Sequence, residues 1–362
     1  MPDMVIIENI LDVARWAPSG DNTQPWRFEL QDDVHMVVHG FDTREHCVYD
    51  LDGHPSQISL GALLENIAIA ASVHGWRMSA RRRPDAPDRT PTFDIAFAPE
   101  RQLQADPLAA FIEKRSVQRR AMHTRALTTA EKNRLGIALG EGYEVIWLEG
   151  IVRRCSAARL MFNNAKLRLT MPEAFQVHRS VIEWGCQFSQ DRIPDQALGV
   201  DPLTARLMHW IMQSWHRVEF FNTFLAGTLA PRIQMDLIPG IACGAHFVIL
   251  ARKVAASIDD YVRAGRAMQR FWLTATQLDL QLQPEMTPLI FARYLRNGLA
   301  FSSAPGMRAL AQRLARQNMA LIGEKNALHA VFMGRIGAGN APSARSIRRP
   351  LADLILPRMD IA

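Results

Sequence analysis

Apolar residues near the start of the chain fall on one helical face over 5–17, where Ile6, Ile10, Leu11 and Ala14 recur at helical spacing. APSGDNTQP follows, dense in turn residues, and predicts a loop. Short strands are expected at 27–30 and 34–39, a long apolar helix at about 56–74, and a strand at 92–98, rich in alternating β-branched and aromatic residues. From Asp106 the pattern begins again. It predicts a short helix at 108–114, a helix at 128–139 with Thr128 or Thr129 as N-cap, and a strand at 144–148. A largely helical region at about 151–230 comes next, then a buried strand at 246–251, a second long helix at 261–280 and a final strand at 327–336.

The two long helical segments share a layout. Each places a glycine at its start (Gly61, Gly265) and a small residue near its middle (Ala71, Ala275), then runs into an extended segment. Identity is low, and two unrelated buried helices can look this similar; the repetition nonetheless suggests one α+β unit used twice. A chain of 362 residues suits two domains of ~150–200 residues each; the restart divides it into 1–105 and 106–362.

Charge and cysteine content narrow the classes. The net charge of +6 raises nucleic acid as a partner, but the arginines are dispersed and no nucleic-acid-binding motif accompanies them, so none is expected. Four scattered cysteines with no C-x-x-C pair fit a reducing compartment better than a zinc or disulfide framework. The N-terminus carries acids within its apolar stretch and lacks a basic segment, and 207–230 is interrupted by His209, His216, Arg217 and Glu219. The expectation is a cytoplasmic protein with no membrane partner.

The sharpest segment is Arg15-Trp16-Ala17-Pro18-Ser19-Gly20-Asp21-Asn22-Thr23-Gln24-Pro25-Trp26. Pro18 enforces the helix exit. Ser19, Asn22 and Gln24 then offer polar groups from a constrained loop, with Pro25 and Trp26 as an apolar wall. That layout suits a flat heteroaromatic ring with amide-like edges; it equally suits an ordinary turn whose amides bond only to their own backbone.

APSGDNTQPW resembles the P-S-x-x-N-x-Q-P-W loop of the nitroreductase-like FMN-dependent oxidoreductases. In that family the loop lies against the flavin from the partner subunit of a domain-swapped dimer. The resemblance implies a nitroreductase-like α+β fold and makes Arg15, Pro18, Ser19, Asn22 and Gln24 candidate cofactor residues.

A second match is Glu113-Lys114-Arg115-Ser116-Val117-Gln118-Arg119-Arg120, similar to the family's R-R-S-x-R-like segment for the FMN phosphate and ribityl chain. Lys114, Arg115 and Ser116 match it, and Arg119 or Arg120 supplies the later base, with Gln118 where the family often has a base. A guanidinium fork suits phosphate; the plain alternative is a solvated basic helix end. The third match joins Gly334-Arg335-Ile336-Gly337 and Pro342 to Ser346-Ile347-Arg348-Arg349-Pro350-Leu351. It resembles the family's closing strand, with Arg348 and Arg349 as phosphate candidates and a basic tail as the alternative. Gln283-Pro284-Glu285 resembles a P-x-E segment whose backbone approaches flavin N5, which adds Pro284 and Glu285.

The order of these matches carries a further implication. The ring-facing loop sits in the first half, while the phosphate segments open and close the second. That is the order expected of two fused subunits, an intramolecular pseudo-dimer holding one FMN per chain, with further association limited to a monomer or weak homodimer. The resemblance is poor over 172–230 and 295–323, where added helices are expected. The Trp210, Trp215, His216, Arg217 group fits a lid over the flavin or, more commonly for such a stripe, core. Asp191 with Arg192 reads as an ion pair. His178, His209, His216 and His246 lack metal-ligand spacing and read as hydrogen-bonded structural residues. The implied activity is transfer from NAD(P)H, through FMN, to a nitroaromatic, quinone or similar small-molecule electron acceptor, with no side chain required as acid or base. A flavin-storing or sequestering protein is the alternative, and an accessory module beside another enzyme a weaker one.

Overall fold

The computed structural model describes residues 4–224 and 227–357. Two four-stranded antiparallel sheets organise it. The first contains β1 (Trp26–Leu30), β2 (His35–Gly40), β3 (Trp76–Arg82) and β4 (Thr92–Pro99) in the order β1-β2-β4-β3. The second contains β5 (Tyr143–Leu148), β6 (Ala245–Ala251), β7 (Leu280–Pro284) and β8 (Ala330–Ala338) in the order β5-β6-β8-β7. In each, a helix precedes the first strand, α1 (Met4–Ala14) or α3 (Thr129–Ala138), and a 20-residue helix joins the second strand to the third, α2 (His54–Val73) or α4 (Ile258–Gln277). The same path is traced twice.

α2 and α4 pack directly against each other at the centre. A Cβ on Gly61 would lie 2.0 Å from the Val262 carbonyl oxygen, and one on Gly265 would lie 2.1 Å from that of Ile58. Each glycine thus admits the backbone three residues before the other, a reciprocal contact. Gln269 donates to Asn66 at 2.8 Å across the interface, and Arg266 and Arg270 hold Glu65 at 2.7 and 2.9 Å. α2 is apolar nearly all round because it is enclosed nearly all round. It is the one described helix long and apolar enough to cross a bilayer, and 89% of that stretch is buried inside the protein.

β6 is buried at every position, since it is central in its sheet and covered on both faces. Phe247 packs on Phe271 of α4, while Val248 and Leu250 face Ala157 and Leu289 of added helices. These helices lie in two insertions into the second unit. One, between β5 and β6, holds Gly150–Leu169, Pro172–Val181, Pro202–Ile211 and Trp215–Phe224; the other, between β7 and β8, holds Thr287–Arg296, Met307–Ile322 and Glu324–His329.

Several boundaries differ from the sequence expectation. α1 stops at Ala14, because 15–17 tighten into a turn before Pro18. α4 begins at Ile258, where Ser257 and Asp260 form a capping box, and Leu280 belongs to β7. The short helix expected at 108–114 is a 3₁₀ turn, Pro107–Phe111, after which the chain extends and Val117 bridges to Leu282. The region 151–230 is broken at 182–194 by two-residue strand pairings. β8 starts at Ala330, after Glu324–His329 forms a helix. The aromatic stripe is not core throughout: Trp210, Phe220 and Phe224 are 47%, 53% and 70% exposed, while Trp215 packs on Phe175.

Candidate functional site

The 18–25 loop holds three non-glycine residues in the left-handed region: Asp21 (φ 50°), Asn22 (φ 63°) and Gln24 (φ 50°). Such positions cost about 1–3 kcal/mol each and persist only where surroundings enforce them. Here they are enforced by hydrogen bonds. Ser19 Oγ accepts from the Gln24 N–H at 2.9 Å. The Asn22 amide donates to the carbonyls of Gln190, Arg192 and Ile347 at 3.1–3.3 Å. Gln24 donates to the carbonyls of Gln190 and Asn22 and accepts the Arg349 N–H at 3.0 Å. Arg15 adds a bond to the Arg349 carbonyl at 2.8 Å. The buried amides therefore bind main chain from 190–192 and 347–349, whereas Pro18, Ser19, Gly20 and Asp21 retain open surface.

Beside this loop lies a cluster of guanidinium groups. Arg115 is 3% and Arg348 7% exposed, with Arg345 half-buried next to them. Arg345 and Arg348 lie 4.9 and 5.9 Å from the Trp16 ring centre, and Arg115 lies 4.6 Å from that of Trp272. Their hydrogen-bond partners are neutral: Arg115 donates to the Trp16 carbonyl, Arg345 to that of Glu113, and Arg348 to the Ala17 carbonyl and Asn22 Oδ1. No described carboxylate forms a salt bridge with any of the three, and the buried Nε atoms of Arg115 and Arg345 have no partner. Burial, reinforced by mutual repulsion, pushes Arg115 well below the ordinary guanidinium range and Arg348 down to about 9. Such cations, lacking a salt-bridge partner among the described residues, fit a phosphate group.

The other expected phosphate residues are placed differently. Lys114 is exposed, over the Phe111 ring at 5.3 Å, and Ser116 is half-exposed. Arg349 bonds Asp191 at 2.9 Å, a closer pair than Asp191–Arg192 at 3.7 Å. Arg119 reaches the Ala197 carbonyl at 3.3 Å, and burial lowers it to about 10. It also lines a cavity of about 290 Å³ with Gln118, Arg120, His123 and the 339–344 loop. A larger groove of about 600 Å³, lined by Glu65, Trp76 and Arg270, lies apart from all these residues.

Pro284 ends β7, and Glu285 is almost wholly buried. The Glu285 N–H donates to the Met333 carbonyl, and its carboxylate bonds His246 Nδ1 at 2.6 Å and Arg335 Nη1 at 3.0 Å. His246 Nε2 bonds the Gly240 carbonyl, and Arg335 donates to the Arg119 carbonyl at 2.8 Å. Burial acts to lower His246, but the Glu285 carboxylate prevails and raises it to about 10. The triad fixes the backbone at Arg119.

A second set of polar groups carries no motif. Asp21, Tyr49, Arg119, Arg168 and His178 are each half-buried. Asp21 feels the charges of Arg119 and Arg168, Tyr49 those of Arg168 and Asp21, and His178 that of Arg168. Protein around them removes most of their water, raising Asp21 and Tyr49 and lowering His178 to about 3. Asp21 of the 18–25 loop thus lies within electrostatic reach of Arg168, which is on an inserted helix. Tyr49 Oη lies 2.9 Å from His178 Nε2, and Arg168 holds the buried Asp236 at 3.2 Å. Sequence reasoning missed Arg345, Tyr49 and Arg168. Only Arg345 had a signal, three residues before Arg348.

No protein-family model matches the chain. A Mycobacterium tuberculosis protein provisionally named an NAD(P)H nitroreductase is 34% identical over 121 residues, 33% of this chain and 35% of that protein, in each of two strains. The chain thus spans about a third of the length of these curated relatives. An uncharacterized protein of the same organism aligns at 23% identity over 94% of this chain and 47% of its own length. A nitroreductase-like family protein from Bacillus cereus superposes with a TM-score of 0.35 and 12% identity, covering 70% of this chain and 97% of its own. At that score the superposition decides nothing about the fold.

Proposed function

We propose that this chain is an FMN-binding oxidoreductase of nitroreductase type, passing electrons from NAD(P)H to a nitroaromatic, quinone or similar acceptor. The observation that carries the reading is the cluster of Arg115, Arg345 and Arg348, none of them in a salt bridge with a described carboxylate, beside a loop of the P-S-x-x-N-x-Q-P-W kind. These guanidinium groups hold the phosphate. Pro18, Ser19 and Asp21 border the ring side, where Asn22, Gln24 and Arg15 fix the loop and Glu285 fixes Arg119. Lys114, Ser116, Pro284 and Arg349 support the surrounding segments. Bound FMN supplies two-electron transfer between nicotinamide and acceptor.

In the same reading the chain is an intramolecular pseudo-dimer of units 1–105 and 106–362. The repeated strand order and the reciprocal contact of Gly61 and Gly265 support it. So does the α3–β5 connection, 139–142, which is too short to form a second ring-facing loop. One FMN per chain follows, in a cytoplasmic monomer or weak homodimer. The placing of Arg168, within electrostatic reach of Asp21 in the 18–25 loop, on an inserted helix favours a second reading, a flavin-storing protein with little turnover.

An anaerobic visible spectrum of the FMN-loaded protein separates the two. Bleaching within seconds of adding NADH or NADPH supports the reductase. A bound flavin left oxidised by both donors, yet bleached by dithionite, supports storage. Failure to bind FMN overturns both.

A further inference from the structure

We infer that the groove of about 600 Å³ between α3 and β3 binds an amphipathic monocarboxylate, its head group on Arg134 and its apolar body along the floor. This goes beyond the oxidoreductase reading and does not depend on it.

The groove arises where the two repeats differ. Counted from the paired glycines, Ala68 of α2 stands where α4 has Trp272, and Met78 of β3 stands where β7 has Leu282. In the second unit both positions are covered by the extended segment that follows Phe111. Arg115 lies over the Trp272 ring at 4.6 Å, Val117 bridges to Leu282, and the Gln118 N–H donates to the Leu282 carbonyl at 3.0 Å. No described segment covers Ala68 and Met78 in that way, and both line the groove. A methyl group stands in place of an indole with no chain crossing above it. The space left open falls within the ~300–1,000 Å³ of small-molecule sites.

The lining sets the chemistry. Trp76, Met78, Leu103 and Ile137 join Ala68 in an apolar floor and wall, with Ile137 79% exposed. Most charged groups there are paired with one another. Glu65 and Asp106 both hold Arg270, at 2.9 and 2.8 Å, and Arg77 is paired with Glu100. Arg134 differs: it donates to the Gln277 amide oxygen and forms no salt bridge with a described carboxylate. A ligand entering the groove therefore meets apolar surface and one uncompensated guanidinium. The planar fork matches a carboxylate in both charge and geometry. A phosphate dianion would leave charge unmatched over apolar surface, where desolvation is costly, and a neutral amphiphile would leave the guanidinium without an anion. Arg134 and Ile137 belong to α3, whereas Ala68 and Trp76 belong to the first unit, so one ligand touches both repeats.

The test is calorimetric titration of the full chain with octanoate and with octanol, which has the same chain length and no charge. Octanoate should bind once per chain and at least about tenfold tighter than octanol, the share of a charge-assisted hydrogen bond. Arg134→Gln should weaken octanoate to the level of octanol and leave octanol unchanged. Ala68→Trp supplies the side chain that the other repeat carries and should abolish binding of both. Ile137→Glu, at an exposed position where substitution costs folding little, should weaken octanoate more than octanol. Three results overturn the inference: no saturable octanoate binding, equal affinity for octanoate and octanol, or wild-type octanoate affinity in Ile137→Glu. Loss of octanoate binding in Arg115→Met with full affinity in Arg134→Gln also overturns it, because octanoate then occupies the guanidinium cluster instead. FMN is absent from every arm, so failure here leaves the oxidoreductase reading standing.

Discussion

Gly61→Ala adds one methyl group to the middle of the protein, at a place where two opposing effects can be weighed. In a helix, alanine is favoured over glycine by about 1 kcal/mol, so propensity alone predicts stabilisation. The new Cβ, however, would lie 2.0 Å from the Val262 carbonyl oxygen and 2.9 Å from the Gly265 Cα, both backbone atoms that no rotamer change can move. Ordinary contact begins near 3.4 Å, so α2 and α4 must separate by about 1.4 Å. A gap of 0.5–1 Å already forfeits a quarter to a half of each dispersion contact. Overpacking typically costs about 1–3 kcal/mol; here the Gln269–Asn66 bond and the Glu65 ion pairs stretch as well. The net expectation is destabilisation by about 3 kcal/mol, read from urea unfolding followed by tryptophan fluorescence. Gly265→Ala should match it, and the double variant should cost clearly less than the sum, because helices parted for one methyl have room for the other. A Gly61→Ala protein as stable as wild type would refute the close crossing.

Three further outcomes follow from the site. Arg115→Met removes a buried cation repelled by Arg345 and Arg348; the apoprotein should melt higher while FMN affinity in fluorescence titration falls at least tenfold, and lower stability with unchanged affinity would contradict the phosphate assignment. Glu285→Gln leaves His246 and Arg335 charged in the interior; breaking such a network costs about 3–5 kcal/mol, and a change under 1 kcal/mol in urea unfolding would show the triad unnecessary. His178 falls from 6.5 to about 3 on folding, so its contribution is present above pH 6.5 and is lost as pH falls towards 3. Asp236 is raised from 3.8 to about 6, so its contribution is full below 3.8 and lost as pH rises through 6. Urea midpoints against pH should lose the acid-side fall in His178→Asn and rise above pH 6 in Asp236→Asn; profiles parallel to wild type would count against both environments.

Much of the fold was legible because period and burial coincide. α2 and β6 appear as unbroken apolar runs since they are enclosed on every side, and Thr128 or Thr129 marked the start of α3, where Thr128 and Glu131 form a capping box. The pairing of Gly61 with Gly265 was visible only as a shared layout; that the two glycines touch required the fold. The inserted segments were harder, because their partners are distant and their faces serve several neighbours. Tyr49 and His178 illustrate this: neither lies in a motif, and only the packing of one unit against an insertion in the other brings them within 2.9 Å. The 18–25 loop was conspicuous, yet its residue types did not reveal that Asn22 and Gln24 bind the main chain of segments more than 160 residues away.

Asn22 and Arg348 meet across 326 residues of one polypeptide, so the molecularity of this contact is one. A loop and a tail borne on separate chains would part on dilution, and their occupancy would track expression level. Here closure is a first-order event, equally complete at nanomolar and micromolar protein. A single nick between the two sheets would restore concentration dependence, turning a contact indifferent to dilution into one that dilution dissolves.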